Sequence, residues 1–263
     1  QLLSDGAFAD YQAMQWFDLL RVKSEFPCNL WPNAVQAYSS YILESCRADK
    51  PYDVFARELL TTSGSNFRDP AVNFYRALPM KNAEGIASFA AQIFLGSRFE
   101  KWNELDRRYF MMFFEKVGYK STEEWKEELV FSKRDKPFGS NITSEVAIRM
   151  PDKTYAVIRP EQDPREAFAD WLIRPDNLLF ARVAVNRIWY RLMGTGVVQE
   201  ADDWRTDNPP MNPELLDVLA DIFVKSGYNV KAVYKAILLS DTYGRCAPPD
   251  FSGINPQTVY AFY

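Results

Sequence analysis

At 263 residues, with 47% hydrophobic and 15% aromatic side chains, the chain can bury a sizeable core as one large domain or two small ones. Its 31 basic and 35 acidic side chains leave a net charge of −4, which does not suit nonspecific nucleic-acid binding. No apolar run approaches the roughly 20 residues of a membrane-spanning helix, and the absence of histidine removes Ser-His-Asp and Cys-His triads.

FADYQAMQWFDLLRVKS predicts a first helix with an inward stripe of Phe8, Tyr11, Gln15, Leu19 and Val22, widened by Trp16 and Leu20. A loop through Pro27 and Trp31-Pro32 follows. Asn33 is expected to cap a second helix that turns Val35, Tyr38, Ile42 and Cys46 inward. Pro51 opens a third helix over PYDVFARELLTT, Ser63 to Asn66 read as a loop, and Asp69-Pro70 starts AVNFYRA. A helix from Ala83 closes at Gly96. NELDRRYFMMFFEKV predicts the next, closing at Gly118, with Met111 to Phe114 as helix core. Ser121 with Glu124 reads as a capping box for a short charged helix through Leu129, and KRDK after it reads as a solvated loop. Cys28, Cys46 and Cys246 are too few and too scattered for a disulfide scaffold or a zinc site. A Cys28–Cys46 bridge and two packed thiols are the alternatives for the first pair.

EVAIRM and YAVI alternate around Pro151 to Thr154 and predict a β-hairpin, the one strand signal in the chain. It divides an N-terminal helical half (1–140) from a C-terminal one (161–263), with 141–160 as connector. In the second half Asp163-Pro164 opens a helix, Asp176 is expected to cap a long one closing at Gly194, Asn212-Pro213 opens a third closing at Gly227, and Asn229 caps a fourth through Leu239. The expected fold is mainly α, a multi-helix bundle-like architecture in two helical halves with one small β-hairpin near 145–158.

The long helix carries Arg182, Asn186, Arg187 and Arg191 among large apolar residues, and the next loop supplies Glu200, Asp202, Asp203, Arg205, Asp207 and Asn208. Arginine forks here would hold a carboxylate, sulfate or phosphate, or else form an internal ion-pair network that fixes the loop to the helix. Asp202 and Asp203 are adjacent, so in an extended segment they point in opposite directions, whereas glycosidase chemistry needs two carboxyls at a defined separation. There is no Cys-x-x-Cys-His run, P-loop or GxGxxG fingerprint, so neither a cofactor nor a metal is expected. Trp31, Trp102, Trp125 and Trp204 are available either to stack on sugars or to pack inside.

DPREAFADWL, DNLLFARVAVNRIWYRLMGTGVV, DDWRTDNPP, NPELLDVLADIFVKSGYNVKAVYKAILLSDTY and the final VYAFY resemble the second domain of the planctomycete-type cytochrome-c-associated proteins. DLLRVKSEFPCNLWPNAVQAY, KPYDVFARELLTTSGSNF, DPAVNFYRA and FLGSRFEKW are similar to the first domain. This is a bacterial family whose paired domains have no assigned function. Its members usually carry Cys-x-x-Cys-His after the FLG segment and histidine before PELLD. Here FLGSRFEKW passes straight to NELDRRYF and Asn212 stands before PELLD, so the chain resembles a member without that motif. The family tends to continue past VYAFY, which implies a truncated chain. The resemblance also implies export to the periplasm or cell surface, in a setting of polysaccharide breakdown. The leading expectation is a noncatalytic, extracytoplasmic binding or assembly module for a partner protein or an anionic glycan. The alternatives are a carboxylate-dependent carbohydrate hydrolase or lyase using Asp202 or Asp203 with Arg187, and a redox partner whose haem lies on another subunit.

Overall fold

The computed structural model describes residues 2–25, 30–133 and 145–245. The Cys28–Cys46 bridge, most of the KRDK run, Cys246 and VYAFY therefore lie outside the described residues. In chain order the elements are α1 (Gly6–Leu19), α2 (Pro32–Arg47), α3 (Tyr52–Thr61), β1 (Gly64–Ser65), α4 (Ala83–Leu95), α5 (Glu104–Met112), β2 (Val117–Ser121), β3 (Glu128–Ser132), β4 (Val146–Arg149), β5 (Tyr155–Ile158), α6 (Pro164–Leu172), α7 (Leu178–Met193), α8 (Pro213–Lys225), α9 (Val230–Leu238) and α10 (Asp241–Gly244). A 3-10 helix over Pro70–Tyr75 carries the AVNFYRA segment.

Local chemistry sets most helix ends. Asp163, Asn212 and Asn229 accept from the backbone of Arg165, Leu215 and Ala232, and Asn82 and Asn103 do the same for α4 and α5. Gly96 and Gly194 end α4 and α7 in the left-handed conformation. Three expected details shift. Trp31, not Asn33, takes the cap position of α2, because Pro32 supplies the first helical φ. Asn177 replaces Asp176 ahead of α7, its amide spent on the carbonyls of Trp171 and Leu172 that end α6. In α1 the buried positions are Ala9, Gln12 and Ala13, with Tyr11 exposed, so small residues approach the neighbouring helix where a Phe8–Tyr11–Gln15 stripe was expected.

The fold is mixed α/β, which corrects the expected helical bundle. Among the described residues it is 55% helical with about 10% strand. A three-stranded antiparallel sheet of order β1-β3-β2 accompanies the hairpin β4-β5. The hairpin is where the alternation predicts it, in register from Val146↔Ile158 to Arg149↔Tyr155. The three-stranded sheet replaces three helix or loop expectations. α5 stops at Met112, because Phe113, Phe114, Lys116, Val117 and Gly118 are all buried, a nearly continuous run that no single helix face can cover. Ser121 ends β2 instead of capping a helix, since the residues beyond it find distant partners. Glu127 accepts from the Ser65 hydroxyl at 2.5 Å and from Thr122 at 2.7 Å, and the Glu128 amide donates to the Asn66 side chain at 2.9 Å. Those contacts draw Gly64–Ser65, read from sequence as loop, into the sheet against Val130 and Leu129.

One hydrophobic cluster runs through both halves of the chain. Tyr52 of α3 stacks on Phe180 of α7 with centroids 4.7 Å apart, and Phe110, Phe113 and Phe114 all meet Phe168 of α6. The Arg165 side chain is 1% exposed and ties α6 to the end of α3. It grips Asp163 through Nε and Nη2, donates to the Thr62 carbonyl and the Ser63 hydroxyl, and lies over the Tyr75 ring.

Four carboxylates make this fold acid-sensitive. Burial works against the charged form of Asp106, Glu128 and Asp152. Hydrogen bonds from Lys153, Asn103 and Arg149, from Arg76 and Lys81, and from Thr154 and Trp171 outweigh it, and hold all three below the ordinary carboxylate range. Glu127 is lowered by its bonds from Ser65 and Thr122. Their unfolded values are about 3.9 for Asp and 4.3 for Glu. A lowered folded value means that the stabilisation is complete above roughly pH 5 and is lost as pH falls through about 4 and below. Thermal midpoints measured along a pH series are expected to stay level down to about pH 5 and then drop, with a shallower drop in Asp106→Asn. A midpoint that rose on acidification would contradict these assignments. Among the described residues no helix is long and apolar enough to cross a membrane.

Candidate functional site

α7 is buried along Phe180, Val183, Val185, Ile188 and Trp189, so its polar residues reach outward only between packed neighbours. Gly194 turns the chain, and the buried pair Val197–Val198 brings it back alongside α7. Asn186, fully buried, holds this returning segment by its backbone. It accepts from the Val198 amide at 3.0 Å and donates to the Val198 carbonyl at 3.3 Å. The loop that follows crosses the C-terminal end of α4.

Arg187 closes that crossing. Its Nε donates to Asp202 at 2.7 Å, Nη1 to the Ile93 carbonyl at 2.5 Å and Nη2 to the Gln92 carbonyl at 2.7 Å. Both carbonyls belong to the last turn of α4 and have no partner within the helix, so a guanidinium there meets both the orphan acceptors and the negative end of the helix dipole. Next to it the Trp204 amide donates to the Gly96 carbonyl at 2.9 Å, and the Trp204 indole lies against Gly96. Gly96 has φ +57°, and a Cβ there would sit 2.5 Å from Trp204 Cδ1, so both backbone and space require glycine.

Asp203, 7% exposed, lies between two further arginines, with Arg98 Nε at 3.4 Å and Arg205 Nη2 at 3.2 Å. Arg98 also reaches Glu200, and Arg205 reaches Asp207. Asn208 ties the loop to itself by donating to the Gln199 and Asp203 carbonyls, each at 2.8 Å. The remaining two arginines of α7 lie elsewhere. Arg182 pairs with Asp217 of α8 at 2.6 Å, and Arg191 borders a 30 Å³ cavity with Gln12, Trp16 and Tyr52. Of the eight candidate residues, Arg187 and Asp202 form a fork, Asp203 and Arg205 form a sandwich with Arg98, Asn186 and Asn208 hold backbone, and Arg182 and Arg191 lie apart. Asp202 borders a cleft while Asp203 is buried behind the loop, so the two carboxyls do not face one space as a glycosidase pair must. Among the described residues no group of three or more cysteine, aspartate and glutamate side chains is placed to hold a metal ion.

Two open clefts flank the stapled loop. The larger, 750 Å³, is bordered by Gln92, Arg98, Glu100, Tyr190, Glu200 and Asp202. The smaller, 520 Å³, lies between α5, the β4–β5 turn and the 204–207 segment, and is lined by Lys101, Trp102, Asp106, Arg149, Lys153, Trp204 and Arg205 among others. Asp106 forms its floor, taking Arg149, Lys153 and Asn103 together. Sequence reading missed Arg98 and this second cleft altogether. Its residues are drawn from separate segments between 97 and 207, and among them only Trp102, Trp204, Arg205 and Asp207 carried a signal of their own.

Residues 164–256 match the model of a family described as PSD1, Protein of unknown function (DUF1553), and residues 1–101 match that of PSCyt2, Protein of unknown function (DUF1549). The two are the pair typical of planctomycete cytochrome-c-associated proteins. No curated protein and no solved structure matches the chain. The Arg187 fork joins the two matched segments, with Gln92 and Ile93 in one and Arg187 and Asp202 in the other.

Proposed function

We propose, taking the match of both ends of the chain to that pair of families as the premise, that the protein is a noncatalytic binding module whose smaller cleft takes an anionic glycan. The observation that carries this reading is the lining of the 520 Å³ cleft. Lys101, Arg149, Lys153 and Arg205 line it with only Asp106 and Asp207 as acidic neighbours in the lining, and Trp102 and Trp204 stand beside them. Lys101 is exposed and has no carboxylate partner among the described residues. Sulfate or carboxylate groups supply acceptors for such donors, and indole surface suits the apolar face of a sugar ring. A noncatalytic role fits the consumption of Asp202 and Asp203 by internal arginine pairs. The resemblance to a family with a polysaccharide setting supports placing the module in the periplasm or at the cell surface.

The test is Lys101→Glu, which lies at the surface and leaves every described ion pair intact. Its affinity for a sulfated or carboxylated polysaccharide, measured by calorimetry, is expected to fall on the order of ten-fold, and binding by the unaltered protein is expected to weaken as salt rises. Unchanged affinity in Lys101→Glu, or release of reducing ends from the polysaccharide, would reject the proposal.

A further inference from the structure

On the turn between β2 and β3, away from both clefts, two exposed indoles share one cation. Trp125 at the tip is 73% exposed, and Trp31, at the start of α2, is 39% exposed. Their ring centroids lie 6.2 Å apart at 85°, and Lys126 Nζ sits 5.0 Å from one ring and 5.3 Å from the other. Among the described residues the Lys126 ammonium has no carboxylate within ion-pair distance. Exposing a large apolar ring to water is unfavourable, and an exposed turn ordinarily lets such a side chain collapse onto its neighbours.

Here the turn is held open by interior contacts. The buried Glu127 carboxylate accepts from Ser65 and Thr122, the Thr122 hydroxyl accepts from the Glu124 amide, and the Asn66 amide group donates to the Lys126 carbonyl. Lys126 itself adopts φ +61°, a left-handed conformation that side chains other than glycine and asparagine seldom take. A strained backbone kept in place by a buried carboxylate, and ending in a presented indole, is a preorganised platform.

We infer that Trp31, Trp125 and Lys126 form a second binding site, for a pyranose ring bearing one anionic substituent. The indole face packs on the apolar face of the ring, and the Lys126 ammonium donates to the carboxylate or sulfate. A single unpaired cation matches one charge per ring. One cation beside Glu123 and Glu124 is far too little positive charge for a run of phosphates, which sets nucleic acid aside. The site goes beyond the cleft and does not depend on it.

The experiment titrates the full chain with three oligosaccharides of equal length, one carboxylated, one sulfated and one neutral, and follows both tryptophan emission and heat. The expected result is saturable binding that shifts the emission and favours at least one charged ligand over the neutral one, the stronger arm identifying the anionic group. Trp125→Ala should weaken it about ten-fold. Lys126→Gly relieves the left-handed strain, so its thermal midpoint should not fall, while the preference for the charged ligand disappears. Lys101→Glu should remove only the cleft's share of the binding and leave the Trp125-dependent component unchanged. The inference is overturned by any of four results: no saturable binding, unchanged affinity in Trp125→Ala, an unchanged charged-to-neutral ratio in Lys126→Gly, or loss confined to Lys101→Glu. Self-association of the free protein that Trp125→Ala abolishes would also overturn it and give the indoles to a second copy of the chain.

Discussion

Replacing Arg187 by alanine is expected to destabilise the protein by about 3–5 kcal/mol, read as a lower midpoint in a denaturant titration with an unchanged slope. The guanidinium is 8% exposed and satisfies a carboxylate and two carbonyls at once. Truncation leaves the Gln92 and Ile93 carbonyls unpaired at the negative end of α4, and such stranded acceptors cost more than the bond itself contributed. Asp202 is 35% exposed and can turn to water, so Asp202→Asn is expected to cost only about 1 kcal/mol. Arg187→Lys should fall between the two, because an ammonium supplies the charge but cannot fork across three acceptors. An Arg187→Ala protein of unchanged stability would mean that the side chain serves a ligand and not the fold.

Arg165→Met is expected to have an effect of similar size, about 3–5 kcal/mol, by the same measurement. The substitution keeps most of the buried volume, so the loss reports on charge and hydrogen bonds, not on a cavity. It leaves Asp163, 16% exposed, as a carboxylate without its cation, and strips the Thr62 carbonyl and the Ser63 hydroxyl of their donors. Burial opposes the charge on Arg165, yet Tyr75 and Asp163 raise its pKa, so the guanidinium stays charged. The double variant Asp163→Asn, Arg165→Met removes both charges and should therefore be more stable than Arg165→Met alone. If the double variant were instead the less stable, Asp163 would matter chiefly as the cap of α6, through its bond from the Arg165 amide.

What was legible in the chain beforehand follows the range of the interactions. Asp163-Pro164, Asn212-Pro213, Asn229 and Gly194 act within a few residues of themselves, and the elements they bound lie within a residue or two of their expected places. The stretch from Phe113 to Ser132 has equally suggestive local signals, a helical aromatic run and a capping box, yet it is set by Ser65 and Asn66 some sixty positions upstream. Nothing in residues 113–132 alone announces those partners. The same divide runs through the candidate site. Arginines and an asparagine on a helix otherwise made of large apolar residues do signal buried polar contacts. That Arg187 would grip backbone carbonyls of α4, or that Arg98 would sandwich Asp203, depends on which helix end happens to lie beneath the loop.

The end of α4 is completed by residues far along the chain. Arg187 stands 94 and 95 positions after the carbonyls it holds, and Trp204 docks on Gly96 from farther still. During synthesis, therefore, α4 leaves the ribosome before the residues that close its C-terminal end. It stays provisional until nearly a hundred more have followed. Closing so long a loop favours slow, cooperative maturation in which nascent chains depend on protection from premature association. α4 is made early and finished late.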